Sequence, residues 1–577
     1  MFSRALLRPS LAGESDSDAA LPHKYGRYFS MDSPQPYSIC AQYACLYCRQ
    51  HKRRCDKTLP ACKLCIRRST PCTYPRRRGQ IPALTQDTQK AEGTKTISLT
   101  PSDATIARHY RKPHVTTAIR FIEPSVYHDA SLGPPSEDAS IPSSISAYVG
   151  HPDQIYEIGA KFFQATSLWM PIVCRKRFYA DALNPISPYR RGLILLALTM
   201  KLYCAPPSEN GNDGRWTLYQ LVKSFYADVE ATAPMSVHIL QAAVFIAIYE
   251  IDQAIYPSAY LSVGTCARYG TALGLNQLMT RRVGDGKSGL SGVEIEEHRR
   301  VWWAVLMLDR LLNIGDPGRP LATEDPTFDS FLPINDRDFN DGMFRPEDAI
   351  TISAGFNQKT SLFGGLCQAT YLLGQTIKSI SSFLSPYGES QAVRFEEHTA
   401  QLRRTLHAYV QMVEKWTAVR KLQYCPASAI CYIALFLLQD HHWKQVGAAT
   451  AQEIRSTIFY ETESALETIS IMAKDPDVGC VDPPISRVAG ELSTLFRQMI
   501  YQTTAQFIMV GFGNPDADTK DKIETLTGIL HMMQPRWHLS TVLLNILEAK
   551  KAKLVSAASD LRFGLDKVTD YKLILST

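Results

Sequence analysis

Ala44-Cys45-Leu46-Tyr47-Cys48-Arg49-Gln50-His51-Lys52-Arg53-Arg54-Cys55-Asp56, followed by Pro60-Ala61-Cys62-Lys63-Leu64-Cys65 and Cys72-Thr73-Tyr74, is the stretch that decides how this chain is read. Its cysteines form Cys45-x2-Cys48-x6-Cys55 and Cys62-x2-Cys65-x6-Cys72, two copies of one three-cysteine unit set end to end. A Cys-x-x-Cys at the start of a helix aims two thiolates at one metal, and a third thiolate two helical turns later closes the face. Each half then lacks a fourth ligand. With no second set of His nearby, two tetrahedral zinc ions reach four ligands each by sharing two sulfurs, so the spacing predicts a binuclear cluster with Cys45, Cys48, Cys55, Cys62, Cys65 and Cys72 as its ligands and two Zn²⁺ as its cofactor.

Two zinc ions and six thiolates carry a net −2, which the surrounding Lys and Arg offset while depressing the thiol pKa values. So short a segment holds little apolar material, so metal binding supplies most of its stability and the module is expected to unfold without it. A disulfide framework is the competing reading. It suits an intracellular chain poorly, and the other cysteines follow no pattern: Cys174, Cys204, Cys266, Cys367, Cys425, Cys431 and Cys480 are scattered and read as core filler. A redox Cys-x-x-Cys needs one pair in a βαβ context, which this stretch does not offer. Cys40 lies outside the repeat and reads as a free thiol.

Charge gathers in the same place. Over 577 residues, 62 Lys plus Arg stand against 56 Asp plus Glu, a net +6, yet residues 45–80 hold eleven Lys or Arg against Asp56 alone, a local +10 that leaves −4 for the rest. A basic island on a mildly acidic chain points to a polyanion partner for the island, with nucleic acid the first candidate. A helix starting at Cys48 is expected to set Arg49, Lys52 and Arg53 on one face at i, i+3 and i+4, a face able to enter a major groove. Arg76-Arg77-Arg78, with Lys52-Arg53-Arg54, suits a nuclear import signal as well as a phosphate grip.

These residues resemble the fungal binuclear zinc-cluster (Zn2Cys6) transcription factors. The resemblance implies that Cys45 and Cys62 bridge the zincs, that Cys48 and Cys55 complete one site and Cys65 and Cys72 the other, and that Pro60 shapes the connecting loop. It further implies that Lys52 reaches the guanine edges of a CGG-type triplet, while Arg49, Arg53, Arg54, Lys63, Arg67 and Arg68 mainly hold phosphates. His51 occupies a position that is often basic in the family and is counted with them as a DNA-binding residue.

Beyond the island, residues 79–148 contain seven Pro, nine Ser and eight Thr with no sustained periodicity, and read as a flexible linker. Many zinc-cluster proteins dimerise through a coiled coil here, but heptad steps from Ile81 and Leu84 land on Thr88, Ala91, Lys95 and Ser98. A monomer, or a homodimer built by the later domain, stays open. From about residue 150 the apolar residues recur at helical spacing, through Ile155, Ile158 and Phe162, then 193–200, 239–251, 302–312, 406–419, 427–438, 464–472, 491–508 and 539–549. Ser291-x-x-Glu294 before Val301-Trp302-Trp303 predicts a capped helix, apolar nearly all round and therefore buried. The expected architecture is a small zinc-cluster module of two short helices and loops (40–78) after a disordered extension (1–39), then the linker, then one large all-α regulatory domain (149–577).

That domain also resembles the family, through its fungal-specific middle homology region: Phe162-Phe163, Trp169-Met170-Pro171-Ile172 and Phe178 look like its opening, and Arg300-Val301-Trp302-Trp303, Asp309-Arg310 and Gly318-Arg319-Pro320 like its most recognisable stretch. Asp309 and Arg310 read as an internal salt bridge or backbone cap, Arg319 as fixing a turn, and the seven tryptophans as core.

An enzyme is not expected. Gly284-Asp285-Gly286-Lys287-Ser288 lacks the first glycine of a phosphate-binding loop, the position being Arg281, and His441-His442 has no partner ligands in sequence. No apolar run reaches the length of a membrane span, and the N-terminus, with Pro9, Glu14, Asp16 and Asp18, suits neither a secretory signal nor a transit peptide. The reading is a nuclear, sequence-specific, DNA-binding regulator of RNA polymerase II transcription, with double-stranded DNA and the transcription machinery as partners. By resemblance it controls a fungal metabolic or specialised-metabolite gene cluster. The rival reading is a zinc-dependent nucleic-acid or protein interaction factor without sequence readout; its island has only Tyr47 and Tyr74 for base stacking.

Overall fold

The computed structural model describes residues 41, 44–58, 61–68, 70 and 72–74, then 115–129 and 141–563 except for 185–189, 208–213, 283–288, 356–359, 385–391, 421–425, 444–450, 475–492 and 512–515. The N-terminal extension, Cys40, Pro60, Arg76-Arg77-Arg78, the first part of the expected linker with Ile81 and Leu84, and the Gly284–Ser288 loop lie outside the described residues. The chain divides into two compact units, 1–108 and 109–577.

In the first unit the described helices are α1 (Leu46–Gln50) and α2 (Lys63–Arg67). In the second, α3 (Val115–Ile122), α4 (Pro124–Asp129) and α5 (Ser143–Val149) lead into α6 (Pro152–Thr166), α7 (Arg175–Ala182), α8 (Arg191–Cys204), α9 (Gly214–Thr232), α10 (Val237–Asp252), α11 (Ser258–Leu273), α12 (Leu275–Leu278) and α13 (Gly292–Asn313). After a long irregular stretch broken by α14 (Asp336–Asn340) come α15 (Leu362–Leu384), α16 (Ala392–Arg420), α17 (Pro426–Trp443), α18 (Ala451–Lys474), α19 (Thr494–Val510), α20 (Ala517–Met533) and α21 (His538–Phe563). This body is largely helical with no strands among the described residues, as the 3.6-residue periodicity predicts.

Hydrophobicity sorts the helices. Those apolar on every side must be surrounded: in α10 every residue but His238 is buried, and the helix packs against α8, α9, α11, α13, α19 and α21. Similarly, α17 is enclosed by α15, α16, α18 and α19, and α19 touches both inner helices, so one apolar core runs from Ile145 to Leu547. The aromatic opening of the domain belongs to it: the Phe162 ring meets Phe245 edge-on at 4.7 Å, and Phe163 meets Phe178 at 5.8 Å.

The capping box opens α13 as the sequence predicts, with Ser291 accepting from the Glu294 N–H while Glu294 accepts from the Ser291 N–H. Its charged flanks are buried too. Arg300 pairs with Glu296 and with Asp336, each at 2.8 Å, and donates to the carbonyls of Pro171 and Ile334, while Arg299 donates to that of Leu278. These side chains satisfy loop backbone that the fold has taken out of water. Further along, Asp309 accepts from the Ala322 and Thr323 N–H groups and Arg310 joins Asp309 to Asp325, so this pair is the internal salt bridge and backbone cap expected of it.

Two expectations are corrected. Within the 79–148 stretch, residues 115–122, 124–129 and 143–148 are helical, and the Arg120 guanidinium donates to the Ala272 carbonyl at the end of α11, so part of the chain read as linker belongs to the body. Eight- and six-residue helices are too short to register as periodicity in Pro- and Ser-rich chain. Of the tryptophans with described side chains, Trp169, Trp302, Trp303 and Trp537 are core, whereas Trp216 is 44% exposed, on the outer face of α9 beside Tyr219. Among the scattered cysteines, Cys174, Cys266, Cys367 and Cys431 are buried and Cys204 half-buried, and Cys425 and Cys480 lie outside the described residues.

Candidate metal centre and nucleic-acid interface

The two cysteine units fold alike, offset by 17 residues. In each, the first cysteine caps a one-turn helix: the Cys45 sulfur accepts from the Cys48 N–H and the Cys62 sulfur from the Cys65 N–H, both at 3.4 Å. In each, the first cysteine's own N–H donates to the third sulfur, Cys45 to Cys55 at 3.5 Å and Cys62 to Cys72 at 3.2 Å. The halves also close each other. Asp56, just after Cys55, accepts from the Lys63 N–H at the start of α2, and the Thr73 carbonyl, just after Cys72, accepts from the Leu46 N–H at the start of α1. Asp56 is thus a positioning residue that the sequence reading passed over, and its being the island's lone acid is the signal that could have found it.

These contacts gather the sulfurs into two groups of four, Cys45, Cys48, Cys55 and Cys62, and Cys45, Cys62, Cys65 and Cys72, with the ligand atoms of each group within 4.8 Å of one another. The Sγ atoms of Cys45 and Cys62 are 3.8 Å apart, those of Cys45 and Cys65 3.7 Å, and those of Cys48 and Cys62 3.6 Å. A tetrahedral zinc with Zn–S bonds of about 2.3 Å puts its sulfurs about 3.8 Å apart, so the donors fit the metal. Cys45 and Cys62 belong to both groups.

Thiols this close cannot all ionise unaided. Burial pushes Cys45, Cys48 and Cys65 up, Cys48 to about 12. Burial opposes ionisation of Cys62 as well, but hydrogen bonds from the Cys65 N–H and from the Cys65, Cys48 and Cys45 thiols bring it down to about 6. Divalent cations are the charge the site needs.

The basic side chains stand outside this centre. Arg49, His51, Lys52, Arg53, Arg54, Lys63, Arg67 and Arg68 are all exposed. The helical-face expectation is corrected, however. The N-cap of α1 is Cys45, not Cys48, and the helix ends at Gln50. Lys52 has a φ of 50°, and the Lys52 and Arg53 N–H groups turn back to the carbonyls of Arg49 and Cys48, a Schellman-type ending. Arg49 is therefore helical, whereas Lys52 projects from the left-handed position after the helix, and Arg53, Arg54 and Cys55 continue in irregular chain. Left-handed Lys is uncommon, which is why spacing alone extended the helix. In the second half the Thr70 N–H repeats the bond, to the Cys65 carbonyl, and Lys63 and Arg67 lie on α2.

Comparison with known proteins agrees with this geometry. Residues 43–81 match the fungal Zn(2)-Cys(6) binuclear cluster domain, and residues 160–418 match the fungal specific transcription factor domain. Transcription factor BOA15 of Botryotinia fuckeliana is 33% identical over 162 residues, covering 28% of this chain and 89% of that protein. The azaphilone cluster-specific transcription factor azaR of Aspergillus niger is 27% identical over 317 residues, 52% of this chain and 63% of that one. The citrinin biosynthesis transcriptional activator mrl3 of Monascus ruber is 22% identical over 332 residues, 52% and 65% of the two chains. The match thus spans just under two thirds of the last two relatives. No described helix is long and apolar enough to cross a membrane. Sulfur geometry, the two matched domains and these relatives together place the chain in the family of fungal Zn(2)-Cys(6) transcription factors, DNA-binding regulators of transcription, not enzymes, whose cluster domain binds two zinc ions.

Proposed function

We propose that the chain is a sequence-specific activator or repressor of RNA polymerase II genes that reads CGG-type triplets in the nucleus and governs a fungal specialised-metabolite gene cluster. In this reading Cys45 and Cys62 bridge the two zincs, Cys48 and Cys55 complete one site, and Cys65 and Cys72 the other. The observation that carries it is the pair of four-sulfur groups sharing Cys45 and Cys62. A cluster closed in this way holds α1 and the chain after it rigid, so that Lys52 is presented from a fixed turn and can address base edges. Arg49, His51, Arg53, Arg54, Lys63, Arg67 and Arg68 then act on phosphates and set the register. The division into module (40–78), connecting segment and regulatory body belongs to the same proposal, with a monomer or a homodimer as its two assembly states. The cluster-regulator role is supported by relatives named for azaphilone and citrinin biosynthesis.

The test is a random-DNA selection with the zinc-loaded full chain at a stated salt concentration. Enrichment of CGG-type triplets is the expected result, singly for a monomer and in pairs of fixed spacing for a homodimer. Retention of DNA with no sequence enriched would replace this reading with a zinc-dependent factor lacking sequence readout.

A further inference from the structure

Where α3 lies against the last turns of α9 and α11, the body has an open pocket of about 440 Å³. Phe121, Ala233, Met235 and Ala272 give it apolar walls, and Glu230 and Arg268 are the charged side chains of its lining. Phe121 is 57% exposed, and close by in the chain Ile122 and Val126 are 80% and 48% exposed. We propose that this face joins two copies of the chain about a two-fold axis, with Ile122 of each copy seated in the other's pocket and Arg268 of each paired with Glu230 of the other.

Three observations carry the proposal. The apolar side chains are presented by a held element: the Arg120 guanidinium donates to the Ala272 carbonyl at 2.9 Å, so α3 is fixed on the body while Phe121 and Ile122 face water. Large apolar side chains gathered outside the core, beside an apolar hollow, mark an interaction surface. The pocket itself suits an apolar side chain, because the Tyr269 hydroxyl in its wall is already engaged, accepting from the Ser236 N–H at 3.3 Å. The charges name the occupant. Among the described residues Glu230 accepts from the Tyr226 hydroxyl at 3.0 Å and pairs with no cation, and the exposed Arg268 pairs with no carboxylate. A face with an acid and a base both lacking ion-pair partners, and with a protruding and a hollow apolar part, is complementary to itself after a two-fold rotation, which is the isologous contact of a homodimer. A partner of one charge sign would satisfy only half of it. Moreover, α3 is the first described helix of the body, so a contact here joins two chains where each comes in from its zinc module, which suits paired half-sites.

The experiment is sedimentation velocity of the zinc-loaded full chain without DNA. A dimer with a dissociation constant of about 10 μM or tighter is expected. Ile122→Gln should weaken it at least about tenfold by removing the apolar side chain from the hollow. Arg268→Glu and Glu230→Arg should each weaken it at least about tenfold, because each sets like charges opposite one another at both pairs of the dimer. An equimolar mixture of these two charge variants should recover the dimer, since each pair in the mixed dimer again sets Arg against Glu. All three positions are exposed, and helical circular dichroism checks that the variants fold. A chain monomeric up to about 100 μM, a dimer indifferent to the three variants, or a mixture that stays monomeric would overturn the proposal. Because DNA is absent, the outcome is independent of the sequence readout and selects between the two assembly states of the proposed function.

Discussion

Lys52 and the six cysteines show what single side chains are asked to do. Lys52 sits at a φ of 50°, where any residue with a Cβ is strained and glycine is not. Lys52→Gly should therefore keep zinc content and module stability, measured by metal analysis and thermal unfolding. It should still lose about 1 to 3 kcal/mol of discrimination between a CGG-type site and random DNA. Equal losses on both DNAs would remove Lys52 from base readout. Arg68→Ala, by contrast, should weaken all DNA alike and lower the slope of log affinity against log salt by about 1. Among the cysteines, Cys62→Ala takes a sulfur from both four-sulfur groups and Cys48→Ala from one. Metal analysis should find both zincs lost in the first variant and the second site partly retained in the other. Because the Cys45, Cys48 and Cys65 thiols are pushed up and must lose protons to bind metal, zinc affinity should fall on acidification from about pH 8 to about pH 6. A competition assay that found no change would contradict this.

Among the helices, α13 carries the most consequence for the body. Its start, its cap and its apolar middle are legible in Ser291-x-x-Glu294 and Val301-Trp302-Trp303, because capping and burial are local consequences of residue type. That Glu296, Arg299 and Arg300 are buried is not legible, because their partners are the carbonyls of Pro171, Leu278 and Ile334 and the carboxylate of Asp336, distant in sequence. Arg300→Met should destabilise the body by about 3 to 5 kcal/mol, since it leaves Glu296 buried without its partner, and denaturant unfolding measures it. Gly270 on α11 faces the same helix. A Cβ there would lie 2.7 Å from the Trp302 ring, so Gly270→Ala should cost about 1 to 3 kcal/mol through overpacking even though alanine favours helix.

The two compact units draw on different sources of stability. The module has a core of little more than its cysteines, whereas the body buries an apolar core from Ile145 to Leu547. Structural zinc of this kind contributes about 10 to 16 kcal/mol, so a chelator should unfold the module and abolish DNA binding while the body keeps its far-ultraviolet helical signal and its thermal transition. Loss of the body's transition on chelation would contradict this division. The all-α body, the two-zinc module and the Cys45 to Cys72 spacing were determined by residue type and order alone, because periodicity, metal-ligand chemistry and charge are properties of short stretches of chain. Tertiary structure decided that α1 stops at Gln50 with Lys52 turned left-handed, that Asp56 and Thr73 lock the halves together, and that 115–129 belongs to the body. Each of those outcomes depends on a backbone ending or on a partner brought close by folding, and neither is encoded in the spacing of neighbouring residues.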